Sequence, residues 1–237
     1  ILYGCESWIN TNLKCVETLY HSAIQALLGV RLPTPNELCL IELGYLPLKS
    51  LVRQKQKVFF NKMINQRSEM TDDPFIFALN LARNGNSSTS RYLNDSHLLS
   101  GEIDGASELK NKINISEKSR YAAYRKVNPD LTVHGVYTKA PEIFIPEALR
   151  ISFTRLRLSS HRLKVETGRW TRIPREQRLC PCGNNNVQDE AHVVQFCPLV
   201  QDIRDRYGKQ LTFPNGVVNA KDISDFKVLH DILMYFS

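Results

Sequence analysis

The sequence predicts a mainly α-helical chain, organised as an N-terminal helical bundle, a basic helical linker and a small C-terminal subdomain. Three observations carry this. Apolar residues recur at a helical period near the start, start and stop signals bracket further helices, and a tight cluster of cysteines with a histidine closes the chain. With 237 residues there is material for one large or two small cores, and no apolar run reaches the ~18 residues that a membrane span needs. No membrane partner is expected. The chain opens on Ile1 without a basic or signal-like stretch, so it reads as a piece of a longer polypeptide.

The first helix follows from Leu13, Val16, Leu19, Tyr20, Ala23, Ile24, Leu27 and Leu28, closed by Gly29. Thr34-Pro35-Asn36-Glu37 has the form of a capping box with Pro at the first helical position, and Gly44 should stop the helix it opens. Pro47 to about Gln66 fits a third helix with Leu48, Leu51, Val52, Phe59 and Met63 inward, Phe60 undecided, and Arg53, Lys55, Lys57 and Lys62 toward water. These helices, about 11 to 66, are expected to pack as one bundle within a domain covering 1–83, with Cys15 and Cys39 reduced and partly or wholly buried.

Asp72-Asp73-Pro74 superficially matches a polymerase carboxylate pair. It lacks the flanking apolar strands, and Asp73 as an N-cap before Pro74 and a helical pattern is the better account. Residues 84–100, with Asn-Gly-Asn-Ser-Ser-Thr-Ser at their centre, have turn composition and read as a loop or linker. The third segment, 101–179, should hold a helix from Ser116 to about Val127, ended by Asn128-Pro129, then an undecided stretch to Ile145 that fits a short hairpin.

Pro146-Glu147 opens a helix with Leu149, Phe153, Leu156 and Leu163 on one face and a C-cap at Gly168. On this reading Arg150, Arg157 and Lys164 form a stripe on another face with His161 between them, and Arg155 and Arg162 flank the opposite side. Residues 150–178 contain nine Lys or Arg, the last four being Arg169, Arg172, Arg175 and Arg178, against Glu166 and Glu176. The rest of the chain is neutral in sum, so this segment carries the whole net charge of +7. Concentrated cations of this kind suit a polyanion, RNA or DNA, although a solvated helix face has the same composition. Trp170 between arginines suits base stacking and equally a core anchor.

In the last segment, 180–237, Cys180, Cys182, His192 and Cys197 offer three thiolates and one imidazole within eighteen positions. That set closes a tetrahedral site for one structural Zn2+ per chain. Gly183 and Asn184-Asn185-Asn186 suit a turn, and Asp189 can cap a short helix that carries His192 and releases Cys197 before Pro198. Cys5, Cys15 and Cys39 stand singly, so the six cysteines are not a disulfide framework and a reducing compartment is implied.

Ile173 to Cys182, Asp189-Glu190-Ala191-His192 and Phe196-Cys197-Pro198-Leu199, with Arg204 beyond, resemble the C-terminal Cys-Cys-His-Cys segment of non-LTR (LINE-type) retrotransposon reverse transcriptases. Phe153 to His161 belongs to the same pattern. Leu2 to Trp8 is similar to the passage from palm to thumb in those enzymes, which makes residues 1–83 thumb-like. The Cys-x-Cys spacing departs from the two-residue gap of many members. The resemblance implies a nucleic-acid-binding region that grips template RNA or an RNA/DNA duplex, beside an upstream polymerase domain of the same polypeptide. It implies a nuclear or cytoplasmic ribonucleoprotein location. This chain lacks the catalytic aspartates, so it is expected to have no catalytic residues and no polymerase activity alone. A host protein derived from such an element, serving as a zinc-stabilised interaction module, is the other reading.

Overall fold

A computed structural model describes residues 3–8, 12–67, 74, 77, 80, 84–85, 88–95, 103–138 and 144–237. The fold is mainly helical, with no strands among the described residues beyond one isolated bridge between Leu179 and Val187. None of the described helices is long and apolar enough to cross a membrane. Asp72 and Asp73 lie outside the described residues.

In chain order the helices whose bounds are described are α1 (Lys14–Leu28), α2 (Asn36–Leu43), α3 (Leu48–Arg67), α4 (Ser88–Asp95), α5 (Gly105–Ile115), α6 (Ser119–Val127), α7 (Glu147–Arg157), α8 (Lys164–Trp170), α9 (Gln201–Tyr207), α10 (Asn215–Val218) and α11 (Ile223–Tyr235). The chain divides into two compact units, one formed by Ile1–Ser22 and Leu46–Asn111, the other by Ala23–Tyr45 and Lys112–Ser237. The expected single bundle of residues 11–66 is therefore split, because 23–45 joins the second unit.

In the first unit Cys5, Leu48 and Val52 are buried together, with Trp8, Leu13, Val16 and Tyr20 around them. Gln56 is fully buried there and donates to the carbonyls of Cys5 and Trp8, while its own carbonyl accepts from Tyr92. That contact lies on α4, inside the stretch whose composition reads as a loop. Tertiary anchoring of Tyr92 and burial of Ser90 outweigh the weak turn preference of Ser88-Thr89-Ser90. On α3, Phe60 turns inward and Phe59 outward. Cys15 is exposed, contrary to expectation, since α1 buries only Ile24, Gln25 and Leu28 fully and leaves Leu19 and Leu27 in solvent.

The second unit is built on α7 and α11. Leu149, Phe153 and Leu156 meet Phe226, Leu229 and Ile232, and the rings of Phe153 and Phe226 stand edge to face at 4.9 Å. Helix α2 ends at Gly44, whose φ of +69° and contact with Val133, 2.5 Å from where a Cβ would sit, both require glycine. The Thr34 hydroxyl does not cap α2. It donates to Ser160 instead. The stretch after Asn128 forms a short 3-10 turn at Gly135–Tyr137.

The long helix expected from Glu147 to Gly168 is two helices. Ser159 takes a left-handed φ of +49°, and the Ser160 N–H returns to the Arg155 carbonyl while the Ser159 N–H returns to Leu156. This is a Schellman ending with serine where glycine is usual. Helix α8 then starts afresh at Lys164, its first N–H groups accepted by the side chain and backbone carbonyls of Gln188. Gly168 lies inside α8, where the absent side chain leaves room for the stem of Arg178.

Candidate metal centre and basic surface

Four side chains converge in the second unit. The Leu179–Val187 bridge and the hydrogen bond from Cys180 N–H to the Asn186 carbonyl close a tight hairpin, with Gly183 and Asn185 at positive φ around its tip. Cys180 and Cys182 sit on this hairpin. Asp189 accepts the His192 N–H at 3.0 Å and so starts the wide helical turn His192–Phe196, from whose end Cys197 departs.

The ligating atoms of Cys180, Cys182, His192 and Cys197 all lie within 4.8 Å of one another. Cys180 Sγ and Cys197 Sγ are 3.6 Å apart, and Cys182 Sγ lies 3.4 Å from His192 Nε2. A disulfide would need about 2.05 Å. Metal–sulfur bonds of about 2.3 Å at tetrahedral angles place sulfurs roughly 3.7 Å apart, a spacing that the Cys180–Cys197 pair matches. Each sulfur also faces the backbone N–H two residues further on, Cys182 for Cys180, Asn184 for Cys182 and Leu199 for Cys197. Burial pushes the Cys180 and Cys197 thiols up, and these donors oppose it by favouring the thiolate, the form that binds metal; at Cys182 they prevail and lower it. These four residues are close enough to hold a metal ion.

Two buried side chains brace the cluster. Arg204, 3% exposed, donates to the carbonyls of Cys197 at 2.6 Å, Val193 at 3.4 Å and Val194 at 3.5 Å, which gathers the orphan carbonyls at the end of the His192 turn. His161 accepts the Leu163 N–H on Nδ1, which leaves Nε2 as the protonated nitrogen facing Glu190 at 2.9 Å.

The basic segment divides by environment. Arg155, Arg162, Lys164, Trp170, Arg172 and Arg175 are exposed, and Arg150, Arg169 and Arg178 are half-buried. Arg157 and His161 are buried, which corrects their expected place on a surface stripe. The break after α7 puts Lys164 on another helix and leaves Arg157 facing the core. There its Nε meets Glu42 Oε1 at 2.5 Å, Nη2 meets Oε2 at 3.2 Å and Nη1 meets the Val127 carbonyl at 3.2 Å. Tyr124 donates to Glu42 Oε2 at 2.7 Å and accepts from Asn128. Burial pushes the Tyr124 hydroxyl well above its ordinary range, and the Glu42 charge adds to this.

Arg178 also serves structure, clamping the carbonyls of Ile173 and Val165. Arg169 and Arg120 share the buried Glu166, each 3.0 Å from one of its oxygens. Arg150 pairs with Glu147 at 3.8 Å and Arg175 with Asp189 at 2.8 Å. Trp170 is 52% exposed and carries the Arg31 guanidinium 4.7 Å from its ring centre, so it is no core anchor. Beside it Pro33, Lys118, Ser119 and Arg120 line a surface cleft.

Sequence reasoning missed Glu42, Arg31, Arg120 and Ser160. For Glu42 a signal existed, since a lone carboxylate within Leu38-Cys39-Leu40-Ile41-Glu42-Leu43 has no polar face to occupy and needs a buried cation. Arg31 carried none. No protein-family model, curated protein or solved structure matches the chain.

Proposed function

We propose that the chain is the nucleic-acid-binding C-terminal region of a LINE-type reverse transcriptase, gripping template RNA or an RNA/DNA duplex while an upstream domain of the same polypeptide polymerises. The observation that carries the reading is that Arg155, Arg162, Lys164 and Arg172 are all exposed, with Trp170 half-exposed in the same stretch of chain. Guanidinium and ammonium groups displace counterions from phosphates, and an indole face accepts a base of any identity. The Cys/His cluster supports it as a structural zinc site, since three thiolates and one imidazole are a soft, closed donor set that leaves no position for a reacting water. Zinc here would fix the hairpin and the His192 turn; the chain's own cations would supply the affinity.

The test is binding of labelled single-stranded RNA and RNA/DNA duplex to the purified chain across a salt series. About three phosphate contacts predict a slope of log K against log salt near minus two to minus three. No binding at low salt, or a slope near zero, overturns the reading. Native mass spectrometry should find one zinc per chain.

A further inference from the structure

A cavity of about 240 Å3 in the second unit lies beneath the break between α7 and α8. Arg31, Arg155, Arg162 and Ser160 line it, with Leu233 and Met234 forming an apolar wall. No acidic side chain lines it. Its donors are conspicuously underused. Ser160 is 3% exposed, and its oxygen accepts two hydrogen bonds, from the Arg31 N–H at 2.9 Å and the Thr34 hydroxyl at 3.1 Å. A serine oxygen has two lone pairs, so both are spent and the remaining capacity is its own O–H, for which the described residues offer no acceptor.

Arg31 Nη1 is buried with no hydrogen-bond partner. Arg162 makes no ion pair or side-chain hydrogen bond among the described residues. Arg155 gives its Nε to the Gly29 carbonyl at 2.7 Å, which fixes the guanidinium at the rim. The neighbouring side-chain polar groups are engaged elsewhere, Ser152 by His230, His161 by Leu163 and Glu190, and the Ser237 hydroxyl, which also lines the cavity, by the Leu233 carbonyl. Burial lowers the Arg31 pKa, and the charges of Arg162, Arg155 and Arg120 lower it further, with only Glu166 opposing. Like charges gathered around buried, unpartnered donors are costly unless an anion joins them.

We propose that Arg31, Arg155, Arg162 and Ser160 form a seat for one phosphate group, and that in the nucleic-acid-binding reading above this group belongs to the backbone of the bound strand. A phosphate supplies what the cavity lacks: several acceptor oxygens in tetrahedral array, matched to guanidinium forks and a hydroxyl donor. The Trp170 ring lies 4.7 Å from the Arg31 guanidinium, so the nucleotide attached to that phosphate would find an aromatic face near its phosphate seat.

Two measurements on the full chain test this. Inorganic phosphate, added at constant ionic strength, should shift the Nε–Hε resonances of Arg31, Arg155 and Arg162 saturably and leave that of Arg172 unmoved. In RNA binding, Arg162→Gln, at an exposed position that leaves the fold intact, should reduce the salt slope by about 0.7 to 0.9, the contribution of one phosphate contact. Ser160→Ala also strands the Arg31 N–H and the Thr34 hydroxyl, so it is compared only where circular dichroism shows it folded; there it should weaken binding several-fold and leave the slope unchanged, since it removes no charge. If the wild-type chain binds RNA and Arg162→Gln leaves affinity and slope untouched, the seat is overturned and the function stands. Should phosphate shift the three arginines while no nucleic acid binds, the function falls and the pocket takes free phosphate or a phosphomonoester. Uniform movement of all arginine resonances, or none, removes the pocket.

Discussion

Replacing Arg157 should destabilise the second unit rather than impair any surface. Its guanidinium makes three hydrogen bonds, two to Glu42 and one to the Val127 carbonyl, and both charged partners are at most 2% exposed. Arg157→Met keeps much of the stem volume but strands the Glu42 carboxylate in an apolar interior. Removing one partner of a buried pair costs about 3–5 kcal/mol. At 2–4 °C per kcal/mol for a chain of this size, Tm should fall by roughly 6–20 °C. Glu42→Gln in the same chain removes the stranded charge and keeps an acceptor for Tyr124, so the double variant should recover at least about half of the loss. Thermal and urea unfolding followed by circular dichroism supply the numbers. A single variant within about 1 kcal/mol of wild type, or a double variant no better than the single, refutes the account. Folded Arg157→Met at low temperature should bind RNA as wild type does, which distinguishes this residue from Arg162.

The remaining expectations concern the metal centre, acid stability and the thiols. If the four side chains hold zinc as proposed, Arg204→Met should weaken its affinity about 10–100-fold by freeing the Val193, Val194 and Cys197 carbonyls that Arg204 gathers, measured by competition with a zinc chelator. Chelation of wild type should raise hydrogen exchange selectively over residues 180–208. Burial, reinforced by the charge of Arg157, lowers His134 to about 4. The unfolded chain therefore takes up a proton first on acidification, and stability present above about pH 6.5 should drain away toward pH 4, by about 1–3 kcal/mol. His134→Asn, which keeps an acceptor for Val136, should flatten that part of the profile, and an unchanged profile counts against it. Cys15 should react with a thiol reagent in the native state, whereas Cys39, buried and pushed up to about 12, should react only on unfolding. Equal native rates would contradict the assigned environments.

What was legible in the sequence follows from how local the determining physics is. The turn after Gly183, the Asp189 cap and the departure of Cys197 before Pro198 depend on residues close in sequence, and local residue types specify them. Helices α2 and α3 were bracketed by Gly44 and Pro47. The break at Ser159 was not legible, because its left-handed backbone is occupied by a residue that ordinarily avoids it and is stabilised by Ser160 contacts with Arg31 and Thr34, more than 120 positions away. From that break the misplacement of Arg157 and Lys164 follows. With one unbroken helix Arg157 falls on a surface stripe; with the break it turns inward to Glu42, 115 positions distant. Charge counting registered Arg157 and Arg162 alike, and only burial separates a structural cation from one open to a ligand.

The second unit is discontinuous in sequence, with Ala23–Tyr45 supplying partners to Lys112–Ser237. This sets a rule for dissection. A fragment beginning after residue 111 retains all four candidate metal ligands and every cation of the 150–178 segment, yet it loses Glu42 and leaves Arg157 an uncompensated interior charge. It also loses Arg31 and Thr34, which hold Ser160 and with it the reversal after α7. Metal loading of such a fragment would therefore say little about the intact surface. Minimal pieces must carry residues 23–45 in cis, or supply them as a separate peptide whose reassociation restores both the ion pair and the turn.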